Sequence, residues 1–269
     1  MTAAVQTPGP TPAPSVRCVT AHNPSPMTLA GTNTYVLAAE DAAGVVVVDP
    51  GPAEDAEAHL ARVLAAAGGR PVGLILLTHR HADHTGAVEA FAAATGAPVR
   101  AGLPALCRHA PALEDGELID AGGVRIEAWH TPGHTSDSFC FALPGTGPHG
   151  AALTGDTILG SGTTMLDFPD GTLTDYLATL ERLEEAGPLT VLPAHGPVLP
   201  RLDVVAREYT DHREGRLAQI ERALDDLDED EADRITAAEL APRIYPGLDG
   251  RMAQVAEQVL AAHLAHLRR

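Results

Sequence analysis

Between Leu77 and Ala87 the chain reads LTHRHADHTGA, which sets His79, His81, Asp83 and His84 within six residues of one another. Imidazole and carboxylate together suit zinc and related transition metals. A solvated loop that happens to be rich in histidine is the bland alternative, but four coordinating side chains at this spacing form a strong metal signature. One bend can serve two adjacent metals only if further ligands come from elsewhere. The sequence offers three: His134 after the Pro132-Gly133 turn of HTPGHTSDS, Asp156 closing LTGDT, and His195 in LPAHG. Taken singly, each is an ordinary solvated turn residue. Taken together, they recur at the C-terminal ends of expected strands, where loops gather round a cleft.

The elements that must carry these residues can be traced by periodicity. The runs TYVLA and GVVVVDPG read as strands, the second ending in an Asp49-Pro50-Gly51 turn. In AEDAEAHLARVLAAAGG, Leu60, Val63 and Leu64 recur at helical spacing before a glycine pair. VGLILLT predicts a buried strand entering the histidine cluster, and DHTGAVEAFAAATG predicts one helix leaving it. Within the bend, His79 and His81 can face the same side by the period of two. PVRAG, GVRIEAWH, SFCFAL, GAALTGD and LTVLPAHG predict further strands, and TLTDYLATLERLEEAG a helix. Beyond about residue 203 the strand pattern stops and three helical segments follow, one opened by the capping box TAAE at Thr236 and Glu239. The acidic run DDLDEDEAD between them predicts a solvated linker. The expected organisation is a flexible proline-rich tail over 1–16, a mixed α/β catalytic domain over 17–202 and a helical extension over 203–269.

Composition narrows the function classes. The 269 residues are 45% hydrophobic but only 3% aromatic, so alanine and valine must do much of the packing. No apolar run reaches membrane-crossing length, and the first residues lack the features of a secretion signal, so the expected location is cytoplasmic. Cys18, Cys107 and Cys140 form no C-x-x-C pair and are assigned to packing. All eighteen basic residues are arginine, and the net charge of −18 opposes general attraction to phosphate backbones.

The ordered set His79-x-His81-x-Asp83-His84, His134, Asp156 and His195 resembles the metallo-β-lactamase superfamily over roughly residues 18–200. The resemblance implies a four-layer αββα sandwich with a binuclear site at one edge, ordinarily two zinc ions per chain, with iron or manganese as alternatives. It implies His79, His81 and His134 on one metal, Asp83, His84 and His195 on the other, and Asp156 bridging them. Two such ions roughly 3.5–4 Å apart share a water and generate a hydroxide that attacks a carbonyl or phosphoryl centre. Asp83 then has the catalytic role of orienting that nucleophile or handling its proton. Asp49 and Thr78 are candidate supports for the liganding histidines.

Three further segments, NPSPMTLAGTNTYVL, GDTILGSGTTMLDF and EYTDHREGR, are similar to the lactamase-beta-two-like hydrolases. That branch implies a winged-helix-like C-terminal region, truncated here because no length remains for a hairpin after the last helix. It also implies either a small-molecule ester or thioester substrate or, less favoured by the charge, single-stranded RNA. A mononuclear iron sulfur dioxygenase is the alternative from another class, and a non-catalytic metal protein a fourth. Among weaker candidates, His130 reads as edge packing or an outer support. The glycine-rich LGSGTT could bring Thr163 or Thr164 beside a substrate or be a plain flexible loop. His212, Arg213 and Arg216 share one helical side and could meet an anionic substrate, with pairing to local acids slightly preferred. His22, His59, His109, His149, His263 and His266 default to structural or surface positions.

Overall fold

A computed structural model describes Thr11 and residues 13–269. Of the expected tail over 1–16, residues 1–10 and 12 lie outside the described residues, and Val16 within it already opens a strand. Among the described residues, ten strands form two five-stranded sheets. The first, in spatial order, contains β1 (Val16–Thr20), β2 (Asn33–Leu37), β3 (Val45–Val48), β4 (Val72–Leu76) and β5 (Val99–Arg100). The second runs from β10 (Thr190–Pro193) through β9 (Ala151–Gly155), β8 (Phe139–Leu143) and β7 (Val124–His130) to β6 (Glu117–Ala121). Both are mixed: β3, β4 and β5 pair in parallel, as do β9 and β10, and the remaining pairs are antiparallel.

The all-valine strand β3 shows how the layers form. Its four residues are all buried, and the period of two divides them between two cores. Val46 and Val48 face the inner core, with Leu76, Ile126, Phe141 and Leu153 from both sheets. Val45 and Val47 face outward onto α1 (Ala56–Ala67) and α3 (Val88–Thr95), where Val63 and Phe91 cover them. On the far side of the second sheet, Cys140, Ala152 and Val191 meet Tyr176 and Leu180 of α4 (Leu173–Glu185) and Ala206 of α5 (Leu202–Asp225). The result is the helix–sheet–sheet–helix stack that the resemblance implies.

The C-terminal part continues in α6 (Glu229–Arg234), α7 (Ala237–Ile244) and α8 (Gly250–Leu267), and no strand follows β10 among the described residues. Ile220, Ile235, Leu240, Leu260 and Leu264 give these helices a core of their own, while Ala262 of α8 packs into the core shared by α4 and α5. The Thr236–Glu239 capping box forms as expected. None of the described helices is long and apolar enough to cross a membrane.

Three expectations require correction. The acidic run is not all linker, because Asp228 accepts a hydrogen bond from Glu231 N and thereby caps α6. The helix expected to leave the histidine cluster is two, α2 (Ala82–Thr85) and α3. Ala87 N donates to Gly51 O instead of continuing the helical ladder, and at Gly86 a Cβ would lie 2.6 Å from Ala53 N, so only glycine admits this close approach. Strands β1 and β6, at sheet edges, lie outside the runs read as strands.

Candidate metal centre

The seven expected residues meet at the seam between the sheets. His79 follows β4, His81 caps α2, Asp83 and His84 lie within it, and His134, Asp156 and His195 follow β7, β9 and β10. Two of these strand ends, those of β4 and β10, are locked in register across the seam: Phe139 N donates to Thr78 O, Asn33 N to Ala194 O, and Thr32 bridges to His195. His134 Nε2 lies 3.2 Å from His79 Nε2 and 3.1 Å from His81 Nδ1. His195 Nε2 is 3.2 Å from both Asp83 Oδ2 and Asp156 Oδ1, and His84 Nε2 is 3.4 Å from Asp156 Oδ1. The other oxygen of Asp156 lies 3.7 Å from His134 Nε2, so one carboxylate faces both clusters. The donor atoms of His79, His81 and His134, and separately those of Asp83, His84 and His195, all fall within 4.8 Å of one another.

What each imidazole does with its outer nitrogen fixes the function of the inner one. The Thr78 hydroxyl donates to Asp49 Oδ2 at 2.7 Å, so it must accept from His79 Nδ1–H at 3.1 Å. His84 Nδ1 donates to Asp49 Oδ2 at 2.9 Å and His134 Nδ1 to Met165 O at 2.6 Å. His195 Nδ1 donates to Gly31 O at 3.3 Å, and His81 Nε2 to Asp167 Oδ2 at 3.2 Å. All five rings thus give away the outer proton and aim a lone pair inward, the arrangement in which metal-ligating histidines are held. Buried His84 Nε2 and Asp156 Oδ1 have no hydrogen-bond partner. Lone pairs 3.1–3.2 Å apart repel unless a cation lies between them. With Zn–N bonds of about 2.0–2.1 Å, the edge of a coordination tetrahedron is roughly 3.3–3.4 Å, so the spacing fits.

Comparison with known proteins agrees with this geometry. Residues 27–195 match the family model of the metallo-beta-lactamase superfamily. The chain belongs to that superfamily. It is 31% identical to an atrochrysone carboxyl ACP thioesterase of Aspergillus fumigatus over 93% of this chain and 79% of the relative. Identity to a beta-lactamase-like protein 2 homolog of Caenorhabditis elegans is 30%, covering 86% of this chain and 76% of that one. The crystal structure of a metallo-beta-lactamase family protein from Thermus thermophilus superposes with a TM-score of 0.74 at 25% identity, covering 95% of this chain and 94% of the other. As a metallo-beta-lactamase superfamily hydrolase, the protein is an enzyme whose histidine and aspartate clusters could hold metal.

Electrostatics in this superfamily site follow from burial and close carboxylates. Burial pushes the His79 imidazole well below its ordinary range, with His84 and His134 adding to the effect, and burial likewise lowers His134. Burial also opposes charge on His84 and His195, but Asp156, joined by Asp49 at His84 and by Asp83 at His195, outweighs it, holding His84 well above the usual range and His195 up at about 9. Asp83 is desolvated yet pushed down to about 2 by His195 and His84, and the same two rings hold Asp156 well below the carboxylate range. The carboxylates thus favour positive charge at the His84 and His195 positions, the charge that a bound cation would supply.

The supports proposed from sequence are in contact with the site. Asp49 Oδ1 accepts from Thr78 N at 2.8 Å in addition to its bonds to the Thr78 hydroxyl and His84. Sequence reading missed His59, whose Nε2 reaches the Thr34 hydroxyl at 2.7 Å, which in turn donates to Asp49 O at 2.6 Å. It also missed Asp167 and the carbonyls of Gly31 and Met165. Asp167 carries a readable signal, its place in the TTMLDF run. The carbonyls carry none, being common to every residue. His130 packs away from the clustered rings, tilted against Phe139 with ring centroids 5.2 Å apart and its ring bonded to Ser136 O.

A cavity of about 400 Å³ opens above the centre, lined by Met27, Leu159, Thr163, Met165, Asp83 and Gln258 among others. The LGSGTT stretch forms one wall and is pinned rather than loose. Tyr209 of α5 accepts from Leu159 N at 3.1 Å and donates to Gly162 O at 2.8 Å. Arg213 departs from both expectations. It is 3% exposed, donates to Thr164 O and lies over the Tyr176 ring at 5.3 Å, so it meets neither an anion nor an acid. Arg216 stacks on Tyr245 at 4.7 Å, and His212 is exposed.

Proposed function

We propose that this hydrolase is a binuclear zinc enzyme that cleaves an ester, thioester or related acyl bond. His79, His81 and His134 hold one cation, Asp83, His84 and His195 the other, and Asp156 spans both. The observation that carries this reading is the set of five inward lone pairs, each fixed by an outer N–H bond, converging with two carboxylates. A structural zinc needs only four closed ligands, and a mononuclear centre would leave the second triad without purpose. Nitrogen and oxygen donors without thiolate suit zinc, and iron or manganese would accept the same set. When bound, such a pair supplies Lewis acidity and brings the pKa of a shared water from about 15.7 toward neutrality. Asp83, with 30% of its side chain exposed against 14% for Asp156, is the more open of the two carboxylates proposed to hold the cations. It is placed to take a proton as the acyl carbon is attacked and to return it to the leaving alcohol or thiol.

Acyl rather than phosphoryl chemistry is favoured by what the cavity lacks. The chain contains no lysine, and among the described residues no arginine lines the cavity, so no side chain there offers a cation to a phosphate. The thioesterase name of the Aspergillus relative points the same way. The test is a zinc-loaded sample assayed against acetyl thioesters, p-nitrophenyl acetate, bis-p-nitrophenyl phosphate and a single-stranded RNA oligonucleotide, with metal content measured in parallel. Acyl hydrolysis that vanishes in Asp156→Ala is expected. Turnover unchanged in that variant, RNA as the preferred substrate, or one iron per chain with oxygen uptake would each overturn the proposal.

A further inference from the structure

The cavity over the metal centre does not end at its rim. Met27, Met165 and Gln258 also line a second hollow of about 570 Å³, whose far wall belongs to the C-terminal helices. There Gln254, Gln258 and Ala261 stand at i, i+4 and i+7 on one face of α8, opposite Ala237 and Ala238 at the start of α7. Alanines leave the floor shallow and unobstructed. The two methionines at the junction are flexible and polarizable, suited to covering an apolar ligand of variable shape. Met27 is 48% exposed, a large apolar side chain left at the entrance. Among the described residues, the only charge along this second hollow is the carboxylate of Glu257.

We infer that this groove, from Met27 and Met165 to Ala261, is the subsite for a long, uncharged acyl chain whose carbonyl lies at the metal centre. The inference rests on the acyl-hydrolase reading and adds to it the class of substrate: a neutral, largely aliphatic acyl group of more than a few carbons. Continuity with the catalytic cavity through three shared residues identifies the occupant as part of the substrate rather than a separate ligand. With Glu257 present and no cation among the described lining residues, an anionic tail would lose its hydration without gaining a partner. The C-terminal helices then set chain length, because α7 and α8 form the distal wall.

The test uses N-acetylcysteamine thioesters from acetyl to octanoyl with the metal-loaded, full-length protein. The ratio kcat/KM rises with each methylene beyond butanoyl by roughly two- to fourfold, the upper figure corresponding to full burial. Ala261→Trp fills the groove: it removes the gain for octanoyl and leaves acetyl turnover within about twofold. A suberoyl half-thioester, whose chain ends in a carboxylate, falls back toward the butanoyl value. Independently of turnover, Gln254→Trp places an indole at the rim, with native Trp129 as control. The neutral ketone 9-bromononan-2-one quenches the new indole saturably and leaves wild-type fluorescence unchanged. A flat chain-length profile, equal losses for acetyl and octanoyl in Ala261→Trp, or unsaturable quenching would overturn the subsite. Saturable quenching with no hydrolysis of any thioester would instead remove the acyl-hydrolase reading and leave the groove standing.

Discussion

Replacing Asp49 by Asn tests whether the outer proton network sets the metal affinity. Asp49 sits at φ 53°, a left-handed conformation that asparagine tolerates, so backbone and volume are preserved. What changes is the donor count. Asp49 Oδ2 accepts from both His84 Nδ1 and the Thr78 hydroxyl, while Oδ1 accepts from Thr78 N. If the Asn oxygen serves Thr78 N, its amide N–H groups face His84 Nδ1–H and the Thr78 hydroxyl. To avoid donor meeting donor, His84 must move its proton to Nε2, losing the inward lone pair. The Thr78 hydroxyl then turns toward His79 Nδ1 and drives that ring to the same wrong tautomer. One substitution thus impairs a donor in each triad. Outer-partner mutations typically cost about 10–100-fold in metal affinity, and two affected rings place D49N at or above the upper end, about 2.7 kcal/mol. The assay is competition for zinc against a chromophoric chelator, with circular dichroism confirming the fold. A zinc Kd within about threefold of wild type would refute the tautomer argument.

Further outcomes follow from the same structure. Arg213→Met removes a charge-assisted bond to Thr164 O and the stacking on Tyr176, costing about 2–3 kcal/mol, seen as a fall in Tm of roughly 4–10 °C. Arg213→Lys restores little of it, because an ammonium lacks the planar fork. Chelator treatment lowers Tm and abolishes hydrolysis, and added zinc restores both; zinc at about 1,000 times its Kd stabilises by about 4 kcal/mol per site. Burial holds the His263 imidazole down at about 4, against 6.5 for the free group, with Arg213 and Arg216 adding to the effect. The folded state then binds fewer protons than the unfolded chain between those values. The stabilisation is complete above about pH 6.5 and is lost as pH falls toward about 4, by at most about 3 kcal/mol. Denaturant melts should show wild type losing up to about 3 kcal/mol relative to His263→Leu as pH falls through this window, and parallel curves would contradict the assignment.

Much of the site was legible because its residues announce themselves locally. His79, His81, Asp83 and His84 share one bend, and His134, Asp156 and His195 each follow the end of a strand. Strand β3 was legible from four consecutive valines, whereas β1 (VRCVT) and β6 (ELIDA) lie at sheet edges, where half-exposed residues blur the alternation. The acidic run concealed α6 because the capping Asp228 looks like any other acid in it. Arg213 was placed on the correct element but given the wrong surroundings. Helical spacing shows which side chains share a face, not that the face is buried under Thr164 and Tyr176. The acceptors at Gly31 and Met165 were hidden for a simpler reason: a backbone carbonyl acquires its partner only when a distant segment folds against it.

The seam position of the centre has a mechanical corollary. Each triad draws on both sheets: His79 and His81 lie beyond β4 while His134 lies beyond β7, and Asp83 and His84 answer His195 beyond β10. Two ions held as proposed would act as rivets through the stack, since neither sheet could slide or peel from the other without emptying both positions. Without them the halves would be joined by their greasy inner faces, main-chain contacts and side-chain bonds such as those of Asn33 and Tyr35 to Pro193 O. Supply of the metal would then decide how long the protein survives as well as whether it turns over substrate.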